Sequence, residues 1–87
     1  MERVIEYSFQ ANEDITFFKK TGQISVLKKI RKLIEAIQKT PFEGIGKPEP
    51  LKYELAGAWS RRINKEHRLV YEVNDDKISV LSVKGHY

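Results

Sequence analysis

Val26, Ile30, Leu33 and Ile37 fall at i, i+4, i+7 and i+11, the recurrence that lines one face of an α-helix. Leu27 and Ile34 widen the stripe, while Lys28, Lys29, Arg31, Lys32 and Glu35 lie mostly off it. The segment predicts an amphipathic helix with one buried face and a basic face that reads as solvated surface. Ahead of it, Val4, Ile5 and Tyr7 make a short strand. Ser8 supplies a side-chain oxygen suited to an N-cap, and a first helix follows to Lys20, with Ile15, Phe17 and Phe18 as its apolar residues. Thr21-Gly22 reads as its stop, because glycine tolerates the left-handed conformation common after a helix end.

All 3 prolines of the chain lie between Pro41 and Pro50. Proline removes backbone donors and glycine adds freedom, so Thr40 to Pro50 predicts a semi-rigid loop within one domain spanning 1–87. From Leu51 the pattern changes to strands: Leu51–Leu55 with a turn at Ala56-Gly57, then Ala58–Ile63, His67–Val73 and Ile78–Val83, the last two joined through Asn74-Asp75-Asp76-Lys77. Short connections require antiparallel neighbours. The last two strands are apolar at both alternate positions, which predicts a central place with both faces covered; the N-terminal strand should join the same sheet. Two helices packed on a mainly antiparallel twisted sheet make an α+β fold.

The chain has 87 residues and no cysteine, so its core is modest and neither a disulfide nor thiolate-bound zinc supports it. No stretch approaches the roughly 20 apolar residues of a membrane span, and Met1-Glu2-Arg3 leads straight into a strand rather than a signal sequence. The cytoplasm is the expected location. Net charge is +4, from 16 basic and 12 acidic residues, which suits a polyanionic partner such as nucleic acid.

No phosphate-binding glycine loop, nucleophile elbow or metalloprotease helix is present. His67 and His86 match no metal-ligand spacing, and with Glu49 they would form a site only by chance. Glu49 stands between Pro48 and Pro50, on a segment whose backbone both prolines stiffen; it is either an exposed loop carboxylate or a rigidly held reactive one. Arg61, Arg62, Lys65, His67 and Arg68 gather around one strand-to-strand turn. If Lys65 centres that turn, Arg62 faces Arg68, a like-charged pair that needs long side chains splayed apart, a carboxylate or an anionic ligand. His86-Tyr87 follows the last strand, as a frayed end or a functional one.

Several spaced segments carry a resemblance to a known family: Pro41-Phe42-Glu43-Gly44, Gly46 to Lys52, Trp59-Ser60-Arg61-Arg62-Ile63, Glu66 to Tyr71 and the closing His86-Tyr87. Together they resemble the YoeB toxin family within the RelE/ParE-like group, over Thr40 to Tyr87; the first half is similar in its strand-helix-helix order more than in its residues. The resemblance implies an endoribonuclease toxin that cleaves mRNA at the A site of the 70S ribosome, inhibits translation and is neutralised by a YefM-like antitoxin. It implies Glu49 as general base, Arg68 as phosphate stabiliser and His86 as general acid, with Lys52, Arg62 and Tyr87 in support. Arg61 and His67 join these as candidate RNA contacts of the basic hairpin. No metal, no cofactor and no membrane are expected, and a homodimer is possible. Competing readings are a ParE-like gyrase inhibitor of the same architecture and a noncatalytic RNA- or ribosome-binding module. Gly85 departs from the relatives, which often carry a bulkier residue before the histidine.

Strand register adds one constraint. A two-residue loop at Asp75-Asp76 pairs Asn74 with Lys77 and so Arg68 with Val83, which in a regular ladder sends His86 to the face opposite Arg68. A bulge, an odd loop or a twist between Asn74 and His86 is therefore expected, with Arg68 and His86 lining one groove.

Overall fold

The computed structural model describes residues 2–85. A strand β1 (Val4–Tyr7) leads to helices α1 (Phe9–Lys20) and α2 (Ile24–Lys39), and then to strands β2 (Glu49–Pro50), β3 (Trp59–Arg62), β4 (Arg68–Val73) and β5 (Lys77–Ser82). The five strands form one sheet in the order β1-β5-β4-β3-β2. β1 runs parallel to β5, and every other pairing is antiparallel. This is the expected α+β arrangement, with β4 and β5 in the centre.

The helices cover one face of the sheet. Val26, Ile30, Leu33 and Ile37 of α2 are all buried, as their spacing predicts, and they meet Leu69, Tyr71, Ile78, Val80 and Val83 from the sheet. From α1 only Ala11 and Phe18 join the buried apolar set, whereas Phe17 stays exposed. Burying such side chains contributes roughly 1.5–3 kcal/mol each. Among the described residues, no helix is long and apolar enough to cross a membrane.

The second face of the sheet is covered only in part, short of the expected cover on both sides: Ser60 of β3 is buried there. Val70 is buried too, but its neighbour on that face, Glu72, is exposed, and Ser79 opposite Glu72 is half-buried. The strand predicted for Leu51–Leu55 is also absent. Those residues instead form a 3-10 turn, Tyr53–Leu55, in which the Leu55 and Ala56 amides donate to Lys52 O and Tyr53 O. Amides used locally are not available to a ladder. The pairing moves upstream to Glu49 and Pro50, at the sheet edge, where a residue without an N–H is tolerated.

The loop between β4 and β5 is the two-residue kind, with Asn74 N donating to Lys77 O at 2.8 Å. The ladder then slips by one: Tyr71 faces Val80, but Val70 faces Ser82, so Leu81 is an extra residue, as the register argument expects. A bulge leaves backbone groups unpaired, and on this edge β1 has already ended. α1 supplies what is missing. Ser8, its N-cap, accepts from Ala11 N and donates its hydroxyl to Leu81 O at 2.7 Å. The buried Asp14 accepts from Val83 N at 3.0 Å and from Gln10. Asp14→Ala orphans a buried amide, a loss of roughly 1–3 kcal/mol. We expect a lower urea midpoint with an unchanged denaturant slope; Asp14→Asn, which keeps an acceptor, should lose less.

Candidate functional site

The stretch Thr40 to Pro50 is fixed by a side chain from the sheet. Arg61 is fully buried. Its guanidinium donates to Thr40 O (2.6 Å), Glu43 O (2.9 Å) and Ile45 O (3.1 Å), and its Nε to the Tyr71 hydroxyl (3.1 Å). Tyr71 in turn donates to Pro41 O at 2.7 Å. Burial pushes the Tyr71 hydroxyl above its ordinary pKa against the opposing pull of Arg61, so it stays protonated and able to donate. The loop closes on the sheet at Gly46, whose carbonyl accepts from Arg62 N at 2.6 Å. A Cβ at Gly46 would lie 2.8 Å from Leu33 Cδ2 and 3.0 Å from Arg61 Cβ, and φ there is +84°, so the close approach requires glycine.

This anchored loop delivers Glu49 to the sheet edge. Glu49 faces Ser60, and Ser60 faces Val70; two residues along β3, Arg62 faces Arg68. Side chains alternate along a strand and cross-strand partners share a face. Glu49, Arg62 and Arg68 therefore stand on the same face, with the carboxylate one row from the arginine pair. Arg62 faces Arg68 as the sequence predicts. Glu49 and Arg62 are exposed, and neither makes an ion pair among the described residues. Arg68 is half-buried and turned by its Nη1, which donates to Asn64 O (2.8 Å) and His67 O (3.1 Å). Asn64 Oδ1 accepts from the Glu66 and His67 amides, which fixes the turn that presents these carbonyls.

Beside the arginine pair lies a cavity of about 330 Å³ lined by Lys29, Lys47, Arg62, Lys65 and Arg68, with no carboxylate in its wall. A concavity lined by cations with no carboxylate among them suits a phosphodiester or an acidic chain. Two residues beside β2, Lys47 (φ 51°) and Tyr53 (φ 59°), hold left-handed conformations without being glycine. Tyr53 is almost fully exposed. An exposed, strained aromatic next to Lys52 is a feature that hydrophobic patterning overlooks, since the strain is a property of the backbone. Lys52 itself is exposed, just beyond β2.

Two expected RNA contacts lie elsewhere. Arg61 belongs to the buried face, and its donors are occupied by the loop carbonyls and Tyr71. It holds the loop that carries Glu49. His67 also points to the helix side: its ring packs edge-to-face on Phe18, 5.0 Å between centroids, and its Nδ1 accepts from Gly85 N at 2.9 Å. Neighbours in the chain, Arg61-Arg62 and His67-Arg68, thus serve opposite faces, which charge clustering along the sequence does not reveal. His86 and Tyr87 lie outside the described residues, so the groove expected to join His86 to Arg68 is described from the Arg68 side alone. Among the described residues no three His, Asp or Glu side chains gather as metal ligands.

Residues 7–87 match the family model for the YoeB-like toxin of bacterial type II toxin–antitoxin systems. Toxin YoeB of Escherichia coli K12 is 47% identical over 81 residues, covering 93% of this chain and 95% of the relative. The YoeB dimer from Staphylococcus aureus superposes with a TM-score of 0.90 at 46% identity, covering all of both chains. The YoeB–YefM complex from the same organism gives 0.87 at the same identity and coverage.

Proposed function

The chain belongs to the family of YoeB-like toxins of bacterial type II toxin–antitoxin systems, and from that premise we propose that it is an endoribonuclease cutting mRNA at the ribosomal A site. The observation that carries the reading is the shared face of Glu49, Arg62 and Arg68. RNA brings its own nucleophile, the 2′-hydroxyl beside each phosphate. Glu49 accepts the 2′-hydroxyl proton as that oxygen attacks phosphorus. Arg68, with Arg62 beside it, matches the phosphate oxygens through its planar fork and stabilises the charge that grows on them. His86 donates a proton to the departing 5′-oxygen, a role suited to imidazole near neutral pH. The products are a 2′,3′-cyclic phosphate and a 5′-hydroxyl. Lys52 and Tyr87 serve as supporting contacts to the RNA, and the scheme needs no catalytic ion.

The partners follow the same reading. The basic cavity suits an acidic segment of a YefM-like antitoxin, which orders on binding and covers the site. The YefM complex and the dimer of the Staphylococcus aureus relative support an antitoxin and a second copy of the chain as partners here.

The test is cleavage of a defined mRNA on 70S ribosomes, with new 5′ ends read by primer extension. Glu49→Gln keeps the shape of the side chain and removes the base, and the rate is expected to fall roughly 10²- to 10⁴-fold. A 2′-deoxy substitution at the scissile nucleotide should abolish cutting by the unchanged protein. Cutting of the deoxy substrate at the normal rate would rule out the 2′-hydroxyl mechanism.

A further inference from the structure

We infer that His67 is a positioning residue that holds the backbone immediately before His86 in register with Arg68; the inference rests on the catalytic reading above. Gly85 is caught from two sides. Its N–H donates to His67 Nδ1 at 2.9 Å, and its carbonyl accepts from Arg68 N at 3.1 Å. Two adjacent residues at the start of β4, one by its side chain and one by its backbone, thereby fix both polar groups of a single glycine. The next residue in the chain is His86.

The clamp is needed because the strand pairing has ended there. β5 stops at Ser82, and Val83 is held by Asp14 rather than by a neighbouring strand. Gly85 takes φ +86°, a conformation open to glycine and costly for other residues, so its backbone has more freedom than a strand residue to lose. For Nδ1 to accept, the ring proton must sit on Nε2, and the edge-to-face contact with Phe18 sets the direction of the acceptor. Phe18 is wholly buried, so the reference point is part of the core. One residue before the clamp, Lys84 Nζ lies 4.0 Å above the Phe17 ring, a second tether to the same helix. The arrangement links Arg68 to the residue after Gly85 through a single hydrogen-bonded step. Misplacement of a reacting group by about 1 Å costs on the order of 10²-fold in rate, so a loose Gly85 would register in turnover more than in affinity.

The variants separate ring packing from hydrogen bonding. His67→Phe retains an aromatic ring against Phe18 and deletes the acceptor. His67→Asn places Oδ1 at the position of Nδ1, and His67→Leu has nearly the size of Asn without the acceptor. With ribosome-dependent cleavage as the assay, His67→Phe is expected to lower kcat by roughly 10- to 100-fold with KM little changed. His67→Asn should return to within a few-fold of the parent, and His67→Leu should not. In the parent the Gly85 amide should be protected from hydrogen exchange, and in the Phe variant it should exchange freely. If the Phe variant does not fold, the Asn and Leu pair gives the same comparison. Full activity in His67→Phe or His67→Leu, beside an inactive His86→Ala, would overturn the positioning role alone. Full activity in His86→Ala would overturn the catalytic reading and the positioning role with it.

Discussion

Arg68→Ala is expected to slow single-turnover cleavage of ribosome-bound mRNA by roughly 10²- to 10³-fold, the usual loss when one preorganised donor to a developing negative charge is removed. The expectation follows from how the guanidinium is held. One nitrogen, Nη1, is engaged by the carbonyls of Asn64 and His67, and this fixes the plane of the fork on the side it shares with Glu49. Lysine has the charge without the fork, so Arg68→Lys should recover only part of the loss. The measurement is the single-turnover rate at saturating ribosomes, with ribosome affinity followed separately. A lysine variant as fast as the parent would reduce Arg68 to a diffuse positive charge. Arg62→Ala is the internal comparison: it removes the other half of the pair but no side-chain hydrogen bond within the described residues, so its effect should fall mainly on salt-dependent binding.

The largest effect on stability is expected at Arg61. Arg61→Met is close in length, but it takes the guanidinium from the carbonyls of Thr40, Glu43 and Ile45, of which Thr40 O and Glu43 O keep a local donor, and it removes the Nε contact to Tyr71. An acceptor that loses its donor in a buried setting costs roughly 1–3 kcal/mol, and Arg61→Met weakens several acceptors at once. A domain of this size has only about 4–13 kcal/mol in total, so the variant should show a markedly lower urea midpoint. Arg61→Lys should not restore it, because an ammonium group is a compact point and cannot span acceptors set out along a loop. Since the same loop delivers Glu49 to the sheet edge, cleavage should fall with the loop even at temperatures where the core remains folded. A midpoint unchanged in both variants would show that the loop is held by other contacts.

α1 is legible through its ends, the Ser8 N-cap and the Thr21-Gly22 stop, and α2 because its period is an average over many residues. Four stripe positions of α2 agree, and one discordant residue would not have hidden the pattern. The facing of Arg62 and Arg68 was legible because a short hairpin leaves few choices of register. The bulge at Leu81 was legible only as a parity requirement; its position depends on Ser8 and Asp14, which lie some seventy residues upstream and carry no local mark of that duty. The 3-10 turn after β2 was missed because alternating apolar residues at Leu51, Tyr53 and Leu55 imitate a strand, while the left-handed backbone at Tyr53 decides otherwise. Glu49 stood out through its flanking prolines, whose geometry is intrinsic. Arg61 and His67 were misplaced for the opposite reason: both sit in a basic run, and the face each one serves is settled by strand parity and by what waits on the far side.

The parallel pairing of β1 with β5 has a temporal consequence. Ser8 and Leu81, which meet at the bulge, are 73 residues apart in the chain, and contacts of such long range close slowly. During synthesis at 5–20 residues per second, roughly 4–15 s separate the two. Until β5 emerges, β1 has no neighbour, Asp14 has no amide to receive, and β4 lacks one of its two flanking strands. The surface that carries Glu49 and Arg68 therefore cannot be completed by a nascent chain still early in translation. The order of synthesis therefore sets when this surface can form: among the described strands, the one that locks β1 and flanks β4 is made last.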